Sequence, residues 1–176
     1  MRNTSRVRTL TALALAAAAL TATVSAGAAQ AAPAAAGPVT CTAANTELTV
    51  KKVQSPVNHL LLKATNTGTK SCYAYNAPYL RFDDAQSATS VNRDSVPQSV
   101  VTLEPGQSAY AGVLTSTPQG THGYKARDLG VSFANRAWTG STGGEKGLEL
   151  PGGGVYLDSS AAVTYWQTKA STALAW

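Results

Sequence analysis

Beyond residue 40 the chain alternates hydrophobic and polar side chains with a period of two, cut at short intervals by turn residues. Over 57–84 this predicts a strand, a turn, a second strand and then a third. Leu60, Leu62 and Ala64 share one face of an extended segment, and Val57, His59, Leu61 and Lys63 share the other. Leucine on both faces predicts a central strand, covered on one side more than the other. Asn66-Thr67-Gly68-Thr69 supplies the turn, because asparagine bonds its own backbone and glycine accepts positive φ. Residues 72–75 resume strand composition, Pro78 interrupts it, and 80–83 form a short strand ending in an Asp83-Asp84 turn.

The same pattern runs on both sides of this stretch. Leu48, Val50 and Lys52 alternate with Thr49, Lys51 and Val53 in a strand over 45–54, whose lysines suit an edge. Residues 89–92 and 96–103 are extended. Glu104-Pro105-Gly106-Gln107 has proline and glycine at the two central positions of a type II turn, with Ala109, Ala111 and Val113 facing the core after it. Residues 120–124 are loop, and Leu129, Val131 and Phe133 mark another strand. Residues 140–147 and 151–154 are glycine-rich connections, 155–157 and 162–168 are strands, and the tail 170–176 continues a strand or frays. The pattern predicts an all-β domain over 41–169, an antiparallel two-sheet immunoglobulin-like sandwich, with a barrel as the alternative. Burial of the Leu60, Leu62, Val101, Leu103, Val113, Val131 and Phe133 faces, at ~25 cal/mol per Å², holds the sheets together.

The first 31 residues form a separate unit. Arg2, Arg6 and Arg8 precede an alanine-rich apolar run over 10–24, and Ala29-Gln30-Ala31 fits a signal-peptide cleavage pattern that leaves Ala32 first. The run is shorter than the ~20 residues that span a bilayer. Residues 32–40, rich in Ala, Pro and Gly, form a flexible spacer. The whole chain carries 14 basic and 9 acidic side chains; without those three arginines 11 basic remain, a net charge of +2. That leaves no footprint for nucleic acid. An exported chain with two cysteines, Cys41 and Cys72, predicts a disulfide over two buried thiols, a metal site or a lipid anchor on Cys41. Its loop of about 30 residues contributes roughly 3.5–4 kcal/mol.

Cys41-Thr42-Ala43-Ala44, Lys63-Ala64-Thr65-Asn66-Thr67-Gly68 followed by Cys72, and Leu103-Glu104-Pro105-Gly106-Gln107-Ser108-Ala109 together resemble the secreted actinobacterial domain of unknown function 4232. The resemblance covers about 41–168 and implies an exported β-sandwich with a Cys41–Cys72 bridge and no assigned activity. The chain departs from it at Asn76-Ala77-Pro78-Tyr79, where members often carry Tyr-Pro-Gly, and in lacking a second cysteine pair.

Candidate chemistry is sparse. A serine hydrolase needs a nucleophile on a strained turn beside a histidine; there is no Gly-x-Ser-x-Gly, His59 reads as a partly exposed strand residue and His122 as a solvated loop residue. Asp83 and Asp84 are adjacent turn residues rather than a glycosidase pair, and Glu145 and Glu149 are solvated. Asp83, Asp84 and Asp94 match no calcium loop, and the Gly140–Lys146 run lacks the second glycine and hydroxyl of a phosphate loop. Trp138, Tyr165, Trp166 and Trp176 remain as aromatics for core packing or for stacking a sugar or peptide; the first three are the ligand-contact candidates. With Tyr165 and Trp166 adjacent on a regular strand, one faces outward. No cofactor, metal or catalytic residue is expected. The expectation is a secreted, non-catalytic module, extracellular or cell-wall associated, that binds a cell-wall glycan or another secreted protein. The alternatives are an extracellular hydrolase built from His122, Asp128 and a loop serine, or an inhibitor or partner-recognition protein using the glycine-rich loops.

Overall fold

The computed structural model describes residues 37–176; the predicted signal segment 1–31 and the first part of the predicted spacer, 32–36, lie outside the described residues. The strands are β1 (Val39–Thr40), β2 (Thr46–Lys52), β3 (His59–Asn66), β4 (Cys72–Ala74), β5 (Tyr79–Phe82), β6 (Ser90–Val91) and β7 (Val101–Leu103). They continue as β8 (Ser108–Leu114), β9 (Tyr124–Ala126), β10 (Asp128–Ala134), β11 (Ser141–Glu149), β12 (Val155–Leu157) and β13 (Ala162–Val163), and one helical turn, α1 (Ala170–Ala173), follows. The fold is all-β.

Among the described residues four sheets form, in the orders β2-β3-β8-β13-β6, β1-β4-β7, β11-β10-β5 and β12-β9. The five-stranded sheet is open, ending on β2 and β6, so it does not close into a barrel. β2 is an edge strand, with Lys51 and Lys52 exposed on it. Pairing is mixed rather than purely antiparallel: β1 runs parallel to β4 and β6 parallel to β13. Two-residue strands at the margins are held by neighbours on one side, so their direction follows the path of the chain and not a hairpin. Val39 and Thr40 pair with Cys72 and Tyr73, so the last two residues of the predicted spacer form a strand. Leu60, Leu62, Leu80, Leu103, Val113, Leu129, Val131, Phe133 and Trp166 belong to one buried cluster fed by every sheet.

Strand, turn, strand over 57–84 crosses between sheets. β3 pairs with β2 and β8, whereas β4 pairs with β1 and β7. The crossing is made by Asn66, 1% exposed. Its Nδ2 donates to the carbonyls of Lys70 (2.9 Å) and Leu103 (2.8 Å), and its Oδ1 accepts from Gly68 N (2.9 Å). Its backbone carbonyl accepts from Gly106 N (2.8 Å), tying β3 to the turn between β7 and β8. That turn is closed by Gln107 N donating to Glu104 O at 2.9 Å, with Gly106 at φ 83°. The Cys41–Cys72 disulfide, both sulfurs buried, fastens the start of the domain to β4.

Four expectations are corrected. Of residues 140–147, expected as a connection, 141–147 lie in β11, which pairs with β10 through a register shift between Val131 and Phe133. Cross-strand bonds to β10 override glycine's weak strand preference, and Gly143 takes φ 73° near that irregularity. The tail neither continues a strand nor frays. α1 packs on the outer face of β8, where a Cβ on Gly112 would lie 2.0 Å from Ala173 O. On β3, Leu61 pairs with Gly112 and is 4% exposed, so the leucines of both faces are buried. Finally, Val57 precedes β3 and is exposed, and Tyr124 begins β9 instead of ending a loop.

Candidate functional site

The ligand-contact candidates from the sequence do not form one platform. Trp166 is fully buried, stacked on Phe133 at 5.3 Å between ring centroids. Tyr165 is 6% exposed; its amide donates to Ser95 Oγ, and its ring meets Trp138 edge-on at 5.2 Å. Both are inside because 164–168 is not a regular strand: after β13 only Gln167 bridges Tyr110, which frees the chain to turn two successive aromatics inward. Trp138 is half-buried at φ 54° in a turn fixed by Asn135, whose Oδ1 accepts from Thr139 N; the Arg93 guanidinium lies 4.6 Å over its ring. One face of that ring is therefore already taken. Trp176 is exposed at the far end of the tail.

Asp128 and His122, two residues of the hydrolase alternative, do not share the cleft that Asp128 lines. That shallow cleft is formed with Arg127, Glu149, Leu150 and Gly153. His122 is exposed at φ 54°. The loop preceding it is fastened to Ser159, where Ser159 N donates to Thr121 O. The neighbouring carboxylate, Asp158, is engaged by Ser160 Oγ, Ser160 N and Thr117 N. The Ser160 hydroxyl, aided by those two amides and opposed by burial, holds the Asp158 pKa below its ordinary value. A carboxylate so occupied has little left with which to orient an imidazole. His59 is buried rather than partly exposed, with Nδ1 2.7 Å from Val57 O and Nε2 3.3 Å from Trp176 O. Asp83 ties the end of β5 to the start of β10, accepting on Oδ1 from Arg127 N and Asp128 N, each at 2.9 Å. Among the described residues no group of three or more His, Cys, Asp or Glu side chains is placed to hold a metal ion, and no helix is long and apolar enough to cross a membrane.

What the fold does assemble is a groove of about 590 Å³ on the outer face of β5, β10 and β11. Register explains it. Tyr79 pairs with Ser132 and Arg81 with Gly130, so these positions share the outer face while Leu80, Phe82, Leu129 and Val131 fill the core. Arg81 reaches across β10 to Glu145 on β11, with Nε–Oε2 at 3.0 Å and Nη2–Oε1 at 3.3 Å. Gly130 makes the crossing possible: a Cβ there would lie 2.5 Å from Glu145 Cδ. Ser132, Thr139 and Ser141 add hydroxyls to the lining. Arg81 and Tyr79 share one face in the Tyr79-Leu80-Arg81-Phe82 alternation, which the sequence already displays. Their partner was missed because Glu145 lay in a run whose glycines read as loop.

A family model described as Domain of unknown function (DUF4232) matches residues 41–167. No curated protein and no solved structure matches the chain.

Proposed function

The chain belongs to the DUF4232 family, and from that premise we propose that it is a secreted, non-catalytic binding module of the cell envelope, built as a two-layer immunoglobulin-like sandwich. The observation that carries the reading is the polar groove over β5, β10 and β11, where Tyr79, Arg81, Ser132, Ser141 and Glu145 offer side chains able to bind, mounted on strands. The layered reading is supported by the five-stranded sheet sharing one buried cluster with the smaller sheets. Export is supported by the basic and apolar pattern of the first 31 residues and by a disulfide, which persists in oxidising compartments.

Co-sedimentation of the purified protein with isolated envelope material tests the reading, with mass spectrometry of the natural N-terminus, expected at Ala32, as the check on export. Sedimentation no greater than for an unrelated protein, or hydrolytic turnover abolished by His122→Ala, overturns it. A partner-recognition role is the second reading, favoured by Val96, Val100 and Trp176, which are exposed around a groove that runs beside β7. Capture of a defined secreted protein that is lost in a Val100→Asp variant would establish that role instead.

A further inference from the structure

We propose that the groove over β5, β10 and β11 binds a neutral, hydroxyl-rich saccharide, held by the Arg81–Glu145 pair and Tyr79. This ligand class rests on the binding-module reading above and specifies it. The lining carries one cation and one carboxylate, and they face each other at 3.0 Å, so their charges cancel. A phosphorylated polymer, which calls for uncancelled cations, gains little there. An apolar peptide gains little as well, because Ser132, Thr139 and Ser141 stand where it would need hydrocarbon.

Sugar hydroxyls match what is present. Each donates and accepts, and the ion pair sets guanidinium donors beside carboxylate lone pairs. Arg81 spends Nε and Nη2 on Glu145, which leaves further N–H donors of its five-donor fork to address a ligand. Glu145 keeps lone pairs free on both oxygens. Tyr79, half-buried, is the aromatic of the lining, suited to the C–H face of a pyranose. The groove needs little ordering on binding, because Tyr79, Arg81, Ser132 and Glu145 sit on paired strands and Gly130 holds the space that the pair crosses.

The test is a two-dimensional NMR titration of the purified protein with maltotetraose, cellotetraose and tetra-N-acetylchitotetraose, at low and at high salt. The expected result is movement of the Arg81, Ser132 and Ser141 amide signals with at least one of the three, unchanged by salt because the site carries no net charge. Tyr79→Ala and Arg81→Met are each expected to weaken that binding at least about tenfold. Arg81→Met should melt with the parent, since an exposed ion pair contributes little to folding. The proposal is overturned if none of the three moves those signals, if the shifts map elsewhere, or if both variants bind as the parent does. Variants that lose no envelope co-sedimentation refute this site and leave the binding-module reading standing. A parent that binds neither envelope nor saccharide removes both.

Discussion

Replacing Asn66 tests whether the turn after β3 is a structural knot or a surface link. Asn66→Ala deletes three side-chain hydrogen bonds, to Lys70 O, Leu103 O and Gly68 N, at a position 1% exposed. At about 1 kcal/mol net each, the loss is roughly 2–4 kcal/mol, toward the upper end because Leu103 O lies in a buried bond. Asn66→Asp separates mechanism from volume. The carboxylate still accepts from Gly68 N, but its second oxygen now faces two carbonyls that had received donors, at 2.9 and 2.8 Å. A buried charge turned on two acceptors costs more than a missing side chain, so aspartate should be the more destabilising of the two. Urea unfolding followed by tryptophan fluorescence reports both through the buried Trp166, with an unchanged slope expected if the native state keeps its compactness. An aspartate variant as stable as the alanine variant, or an alanine variant within about 0.5 kcal/mol of the parent, would refute the knot.

Three further outcomes are expected. Gly112→Ala forces its Cβ against Ala173 O and should release the C-terminal turn from β8, seen as proteolytic trimming of the tail and a loss of about 1–3 kcal/mol. Asp158, whose carboxyl pKa lies below the ordinary 3.8, contributes stability that is present above that value and lost as pH falls through the lowered folded one. In acid titrations the parent should therefore lose more stability than Asp158→Asn, and parallel curves would contradict the assignment. Replacing Cys41 and Cys72 by serine opens a loop of sequence separation 31 and should lower unfolding free energy by roughly 3–4 kcal/mol, while leaving the far-UV circular dichroism strand-like.

Local pattern alone determined much of this protein. The period of two gave the all-β class, the core faces of β3, β8 and β10, and an edge at β2, because those depend only on which side chains can share a buried surface. Turn chemistry at Asn66-Thr67-Gly68 and Pro105-Gly106 was legible for the same reason: a left-handed or preset φ is a property of the residue itself. Long-range pairing decided the rest. β11 exists because β10 supplies its hydrogen bonds, so glycines that weaken a lone strand were free to read as loop. Tyr165 and Trp166 both turn inward because the chain leaves regular pairing there, and the tail packs on β8 because Gly112 leaves it room. The groove joins Arg81 and Glu145, 64 positions apart in the chain, through the backbone register across a residue that has no side chain. Such contacts are set by partners distant in sequence, and a one-dimensional pattern carries only what each residue demands of its immediate neighbours.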